Sequence, residues 1–228
     1  MVKKYYAMET EENSAEIMIY GDITSWPWLE SDVSSYNLSK QIKDLDVDTI
    51  HVHISSYGGE VAEGLAIYNA LRQHKAKIKT YCDGFACSIA SVIFMAGDER
   101  EMSNSSLLMI HNPWTYTEGN AQELRKKADD LDKMSQATVN AYMEYVNITE
   151  EEVRALLDAE TWLLPEEALD KGFATSVSAS QPQAKYSQSV RKQVIQKLTE
   201  PGRAPKDFAP AQPKTLMELF EGIARKEG

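Results

Sequence analysis

The sequence predicts an α/β protein: repeated β-α units that form a mostly parallel sheet with helices on its faces, a long projecting helix and a partly disordered C-terminal tail. Three observations carry this. Short apolar or alternating runs recur between segments of helical spacing, residues 121–146 contain neither Gly nor Pro, and from Ser176 the composition shifts to Ser, Gln, Pro, Lys and Ala. Strands alternating with helices give right-handed crossovers and parallel sheets, whereas a polar, Pro-rich segment has too little apolar surface to offset the entropy of folding.

In chain order, residues 1–14 are polar and charged around Tyr5 and Tyr6 and read as a flexible or loosely paired start. Glu16–Ile23 is expected as a first strand, ended by Gly21-Asp22. Trp26-Pro27-Trp28 falls in a loop, either as an exposed contact site or, the reading favoured here, as a lid on the core. Ser34–Leu45 has Leu38, Ile42 and Leu45 at helical spacing behind serines that can cap. Thr49–Ser55 alternates Ile50, Val52 and Ile54 as a strand and runs into Ser55-Ser56-Tyr57-Gly58-Gly59, which cannot continue as regular sheet.

Val61–Gln73 is an amphipathic helix with Gly64 at a close contact. Lys77–Cys82 is the next strand, Ile89–Ala96 a buried helix, and Leu107–Ile110 a short strand that delivers His111-Asn112-Pro113. Ala121–Val146 presents Leu124, Ala128, Leu131, Ser135, Thr138, Tyr142 and Tyr145 along one stripe. A stripe that long is expected to pack against another subunit. Thr149 caps a helix running to Leu157, and Pro165 opens another that closes at Gly172. Ser178–Ser187 reads as a linker, and Glu200–Pro213, with four prolines, as extended or disordered chain.

The 228 residues suit one domain, 15–176, with a flexible start and an appended tail, 177–228. The net charge of −11 argues against a nucleic-acid binder. From Lys185 onward nine Lys or Arg face five Asp or Glu, so a basic tail follows an acidic body. Cys82 and Cys87 fit reduced core thiols and are too few for a zinc site. No signal segment and no membrane-spanning run is read, which predicts a cytoplasmic chain without a membrane partner.

Chemistry points first to Ser88, set among small residues between a strand and a helix. A helix start supplies free N–H groups and the positive end of its dipole for a developing oxyanion, although a lone serine there more commonly just caps the helix. His111 is the best candidate base, because His51 and His53 lie within a strand and His74 at a Lys-flanked helix end. An acid in the segment Asp158–Glu160 would orient it. The Gly58-Gly59 pair can present a backbone N–H to a carbonyl oxygen.

The ordered segments Ser-Ser-Tyr-Gly-Gly-Glu-Val, Gly-Phe-Ala-Cys-Ser-Ile-Ala, Met-Ile-His-Asn-Pro and Glu-Thr-Trp-Leu-Leu-Pro-Glu-Glu-Ala-Leu-Asp-Lys-Gly resemble the ClpP family of serine peptidases over residues 15–176. The Trp-Pro-Trp loop and Pro-rich basic tail are similar to the ClpP-like head maturation (prohead) proteases of phages and prophages. This resemblance implies the fold shared by ClpP and crotonase-type enzymes, with Ser88 as nucleophile, His111 as general base and then acid, and the N–H groups of Gly59 and Ile89 as oxyanion hole. The family's aspartate aligns with Glu160, with Asp158 held in reserve. Gly58, Asn112 and Pro113 are expected beside the substrate.

No metal or organic cofactor is implied. The implied partners are further copies of the chain in rings and a protein or peptide substrate, such as a capsid or scaffold protein. The short acidic N-terminus shows no apolar docking segment for an ATP-driven unfoldase, which leaves that partner open. Rival readings are ATP-dependent degradation with an unfoldase, a crotonase-type acyl-CoA enzyme, and a catalytically idle structural protein.

Overall fold

In sequence order the chain forms β1 (Met8–Glu11), β2 (Ser14–Ile19), α1 (Ser35–Asp44), β3 (Thr49–Ser56), α2 (Val61–Arg72), β4 (Lys77–Cys87) and α3 (Ile89–Phe94). It continues with β5 (Glu99–Ser103), β6 (Leu107–Ile110), α4 (Ala121–Met143), α5 (Glu150–Asp158), β7 (Thr161–Leu163), α6 (Pro165–Asp170) and β8 (Ser176–Ser178). The computed structural model describes residues 8–11, 13–29 and 31–178. The expected tail beyond Ser178 and the first seven residues of the expected flexible start lie outside the described residues.

The eight strands form one sheet in the order β1-β2-β3-β4-β5-β8, with β6 beside β4 and β7 beside β6. Pairing is parallel except for β1 with β2 and β6 with β7. The mostly parallel α/β architecture is therefore as the repeated units predict.

β4 runs to Cys87, past the expected end at Cys82. Its first half pairs with β5 (Lys79–Cys82 with Glu99–Met102), its second with β6 (Phe85–Cys87 with Leu107–Met109). Ile54 faces Cys82 while Ser56 faces Ala86, so the register shifts around Asp83-Gly84-Phe85 and the strand bends instead of stopping.

Three strands escaped the sequence reading. β5 is Glu-Arg-Glu-Met-Ser, yet it alternates, with Arg100 and Met102 inward. β7 and β8 are three residues each and exist through their pairing with β6 and β5. β1 forms by antiparallel pairing with β2, inside the segment expected to be flexible or loosely paired. β2 ends at Ile19, earlier than expected, and Ile23 instead makes isolated bridges to Val33 and Gly59.

The core joins one sheet face, with Ile17, Ile19, Ile50, Val52 and Ile54, to the fully buried α3 and to Ile67, Leu71, Leu38 and Ile42 of the outer helices. Gly64 is needed where α2 meets α3, because a Cβ there would lie 2.1 Å from Ile89 Cγ1. The opposite sheet face departs from the expectation of two covered faces. Its alternate positions Glu16, His51, His53, Lys79 and Tyr81 are only half-buried. They are polar, and the two histidines meet the tyrosine: Tyr81 stacks on His53 at 4.6 Å and its hydroxyl lies 3.0 Å from His51 Nδ1.

On that face His53 Nδ1 lies 2.8 Å from Asp83 Oδ2, which also accepts from the Tyr20 hydroxyl. Burial pushes the His53 pKa down, but the hydrogen bond and charge of Asp83, aided by Glu16 and Glu101, lift it above the ordinary value. A raised folded pKa stabilises fully below the unfolded value and loses that contribution as pH rises through the folded one. Asp83→Asn is expected to cost about 1 kcal/mol in urea unfolding near about pH 5.5, with the gap closing as the pH rises past the raised pKa.

The long helix is divided in its packing. Ser135, Thr138, Val139, Ala141 and Tyr142, in its C-terminal half, are buried against the body of the same chain, whereas its N-terminal half is largely exposed, with Leu124 at 43%. The stripe expected to meet another subunit thus packs intramolecularly over its second half. A capping box of Asn120 and Glu123 starts this helix, and one of Thr149 and Glu152 starts α5.

Candidate active site

Ser88 links β4 to α3 with φ 55° and ψ −129°, a left-handed conformation rare for a residue with a side chain. Neighbouring groups hold it there. Its N–H donates to Met109 O at 2.8 Å, and its carbonyl accepts from Ser91 N–H at 3.0 Å and from the Ser91 hydroxyl. Ser91 Oγ in turn lies 2.7 Å from the buried Tyr142 hydroxyl. A strained residue held this firmly points its side chain out of the turn in one direction.

That direction is toward His111, which follows β6 and is 11% exposed in its side chain: Nε2 lies 2.8 Å from Ser88 Oγ. With Nδ1 carrying the imidazole proton, Nε2 accepts from the hydroxyl. Glu160 Oε1 lies 3.7 Å from Nδ1, beyond direct hydrogen-bond length, on a residue with φ 47° and a side chain 74% exposed. Asp158 is turned elsewhere: its Oδ1 accepts from Asn112 Nδ2 at 2.6 Å. The structure therefore brings Ser88, His111 and Glu160 into one line, and gives Asp158 a different partner.

Gly58 and Gly59 have φ 99° and 147°. A Cβ on Gly58 would sit 2.8 Å from Ser88 Cβ, so this backbone lies against the serine. Gly59 is pinned on both sides, by Ile23 N–H donating to Gly58 O at 2.9 Å and Glu60 N–H donating to Ile23 O at 2.8 Å. The N–H of Ile89 belongs to the first turn of α3, where no intrahelical acceptor exists. A Cβ on Gly59 would lie 2.0 Å from Ile23 O. For the peptidase chemistry proposed below, in which Gly59 N–H would be one oxyanion donor, Gly59→Ala is expected to displace this segment and lower peptide turnover by about 10²- to 10³-fold; steady-state kinetics on a fluorogenic peptide reads it.

Asn112 has both polar ends engaged within the protein, Oδ1 accepting from Ser135 Oγ at 2.6 Å and Nδ2 donating to Asp158. Pro113 is half-buried beside it, and Trp114 and Tyr116, 65% and 91% exposed, meet edge to face at 5.3 Å. An aromatic row also escaped the sequence reading: Phe85 packs on Tyr57 at 5.2 Å and on Trp162 at 6.2 Å. These residues sit within three positions of Gly58, Ser88 and Glu160, and that adjacency is the signal that could have revealed them.

The Trp-Pro-Trp loop is a correction to the lid reading. Trp26 is 70% and Trp28 85% exposed. The loop backbone explains this: Ser25 N–H and Oγ and Thr24 Oγ1 all bind Glu60 Oε1, and Asp32 Oδ2 accepts from the N–H groups of Trp28 and Leu29. These bonds hold the loop open next to Gly59, and they hold the Glu60 carboxyl below its usual range.

Cys82 and Cys87 are buried free thiols, pushed by burial to about 12 and about 11, so neither carries appreciable thiolate near neutral pH. Among the described residues no cluster of His, Cys, Asp and Glu could hold a metal ion, and no helix is long and apolar enough to cross a membrane.

Fold and site together define a parallel α/β protein that aims a serine–histidine pair from a strained strand-to-helix turn. The sequence model described as Clp protease matches residues 30–181, and the chain belongs to the Clp protease family. It is similar to the ATP-dependent Clp protease proteolytic subunit of Deinococcus radiodurans, with 35% identity over 130 residues, 56% of this chain and 64% of that relative. The chain thus matches somewhat under two thirds of that relative's length.

Proposed function

We propose that the chain is a serine endopeptidase that hydrolyses internal peptide bonds through an acyl-serine intermediate. The observation that carries this is the 2.8 Å contact between Ser88 Oγ and His111 Nε2 at a turn whose strain aims the hydroxyl. Nε2 takes the hydroxyl proton as Oγ attacks the carbonyl carbon, then returns it to the departing amine. The N–H groups of Gly59 and Ile89 stabilise the oxyanion, and Glu160 supplies negative charge on the Nδ1 side of the forming imidazolium. Water then repeats the sequence on the acyl-enzyme. The test is intact-mass and peptide mapping after a fluorophosphonate probe. One adduct on the peptide containing Ser88 supports the reading, and an unlabelled folded chain overturns it. A crotonase-type enzyme would need no such serine.

The substrate proposed is a phage capsid or scaffold protein cut during head maturation, a reading supported by the exposed Trp-Pro-Trp loop and the basic tail composition. The protease would act as a ring of like chains in the host cytoplasm or the prohead. A second reading, that the chain is the proteolytic subunit of an ATP-dependent complex, is favoured by its similarity to the ATP-dependent Clp protease proteolytic subunit of Deinococcus radiodurans. Cleavage of assembled scaffold protein without ATP supports the first. Degradation of a folded protein only when an unfoldase and ATP are added supports the second.

A further inference from the structure

The contact between Glu160 and His111 leaves a question that the surrounding residues answer. At 3.7 Å, and with a side chain 74% exposed, the acid does not by itself hold the imidazole. The next residue in the chain is held firmly. Ser135 Oγ, on the buried half of α4, donates to Asn112 Oδ1 at 2.6 Å, and Asn112 Nδ2 donates to Asp158 Oδ1, at the end of α5, at 2.6 Å.

The direction of this chain of bonds is set by its ends. An ionised carboxylate can only accept, so it selects the amide NH2 group, and the amide carbonyl is left for the serine hydroxyl. Flipping the amide would turn its oxygen against the carboxylate. Asn112 therefore has one stable orientation, and it connects three elements: α4, the segment carrying His111, and the end of α5 two residues before Glu160. The same two segments are joined on the other side by β6 and β7, where Ile110 pairs with Thr161. His111 and Glu160 both lie between the Asn112–Asp158 bond and that strand pair.

Resting on the peptidase reading above, we infer that Ser135, Asn112 and Asp158 form a positioning latch that sets the His111 imidazole against Ser88. Asp158 acts in the reaction through Asn112 and not on the imidazole itself. The bonds to the latch are short, and an error of about 1 Å in the base is enough to cost about 10²-fold in rate. Packing of the long helix thereby bears on the reactivity of the serine, because Ser135 is the helix's contribution to the latch.

The test is an exchange of the two side chains. In Asn112→Asp two carboxylates face one another across the former hydrogen bond, and kcat on a fluorogenic peptide is expected to fall by about 10- to 100-fold with KM within about twofold. Asp158→Asn keeps an acceptor oxygen at the same place and is expected to lose less than about fivefold. The double variant restores a carboxylate–amide bond with the roles reversed, and is expected to recover at least about tenfold over Asn112→Asp.

Ser135→Ala, which removes one hydroxyl and no packing volume of consequence, should lower kcat in the same direction with a melting temperature within about 5 °C of wild type. A double variant no better than Asn112→Asp, or Asn112→Asp as active as wild type, overturns the latch while an active, labelled wild type leaves the peptidase reading standing. A wild type that takes no phosphonate and cleaves no peptide removes both.

Discussion

Peptide turnover by Ser88→Ala is expected to fall by about 10⁴- to 10⁶-fold, with thermal melting and sizing profile unchanged. The two halves of that expectation have separate causes. The backbone of residue 88 is held by its N–H on Met109 O, by Ser91 N–H and Oγ on its carbonyl, and by Tyr142 behind Ser91. None of these involves Ser88 Oγ, whose contact is with His111. Alanine has nearly the same cost at φ 55° as serine, so the fold is kept while the attacking oxygen is lost. The residual rate would come from the Gly59 and Ile89 N–H groups acting on a water-borne attack. A drop below tenfold, measured with the same peptide and free of contaminating protease, would mean that another group is the nucleophile.

Arg100→Met is expected to destabilise the chain by about 3–5 kcal/mol, lowering the melting temperature by about 6–20 °C. Arg100, the second residue of β5, is 4% exposed. Its guanidinium donates from Nε to Phe173 O at 2.8 Å, from Nη1 to Gly97 O at 2.9 Å and from Nη2 to Gly172 O at 3.2 Å, and it lies 4.3 Å from the Tyr145 ring centroid. One side chain thus satisfies carbonyls from the end of α3 and from the turn after α6. Methionine fills similar volume but leaves three carbonyls without a donor, and those of Gly97 and Phe173 belong to buried residues where water has no ready access to replace it. Differential scanning calorimetry at neutral pH measures the loss. A shift under about 2 °C would show that these carbonyls find other partners.

Arg100 also shows why part of the fold stayed hidden. A strand written Glu-Arg-Glu-Met-Ser carries no apolar alternation unless the arginine is counted as an inward residue, and only its three carbonyl acceptors make burial tolerable. Those acceptors come from Gly97, Gly172 and Phe173, the last two more than 70 positions away in sequence. β7 and β8 were illegible for a related reason. Three residues have no periodicity, and the partners that make them strands are remote. Elements with their own local signal were read well: the alternation of Ile50, Val52 and Ile54, the helical spacing in α1 and α2, and the Thr149 capping box.

The exposed tryptophans and the long helix illustrate a different limit. Trp26 and Trp28 are apolar in sequence whether covered or not, and what exposes them is a set of hydrogen bonds to Glu60 and Asp32 that no local pattern announces. In α4 the stripe continues through both halves, yet only Ser135 to Tyr142 meets the body, because α3 and α5 are there to receive it.

By itself the sequence determined the alternation of strands and helices, the mostly parallel sheet that follows from it, and the candidacy of Ser88, His111, Gly58 and Gly59, since each rests on a residue type in its local setting. Tertiary structure alone decided that Nε2 reaches Ser88, that Glu160 stands back from Nδ1, and that Asp158 serves Asn112. Those choices depend on contacts between groups 23 to 49 positions apart. Such contacts are fixed only when β4, β6, α4 and α5 have packed, because an amide or a carboxylate pairs with whichever group the fold brings within about 3 Å.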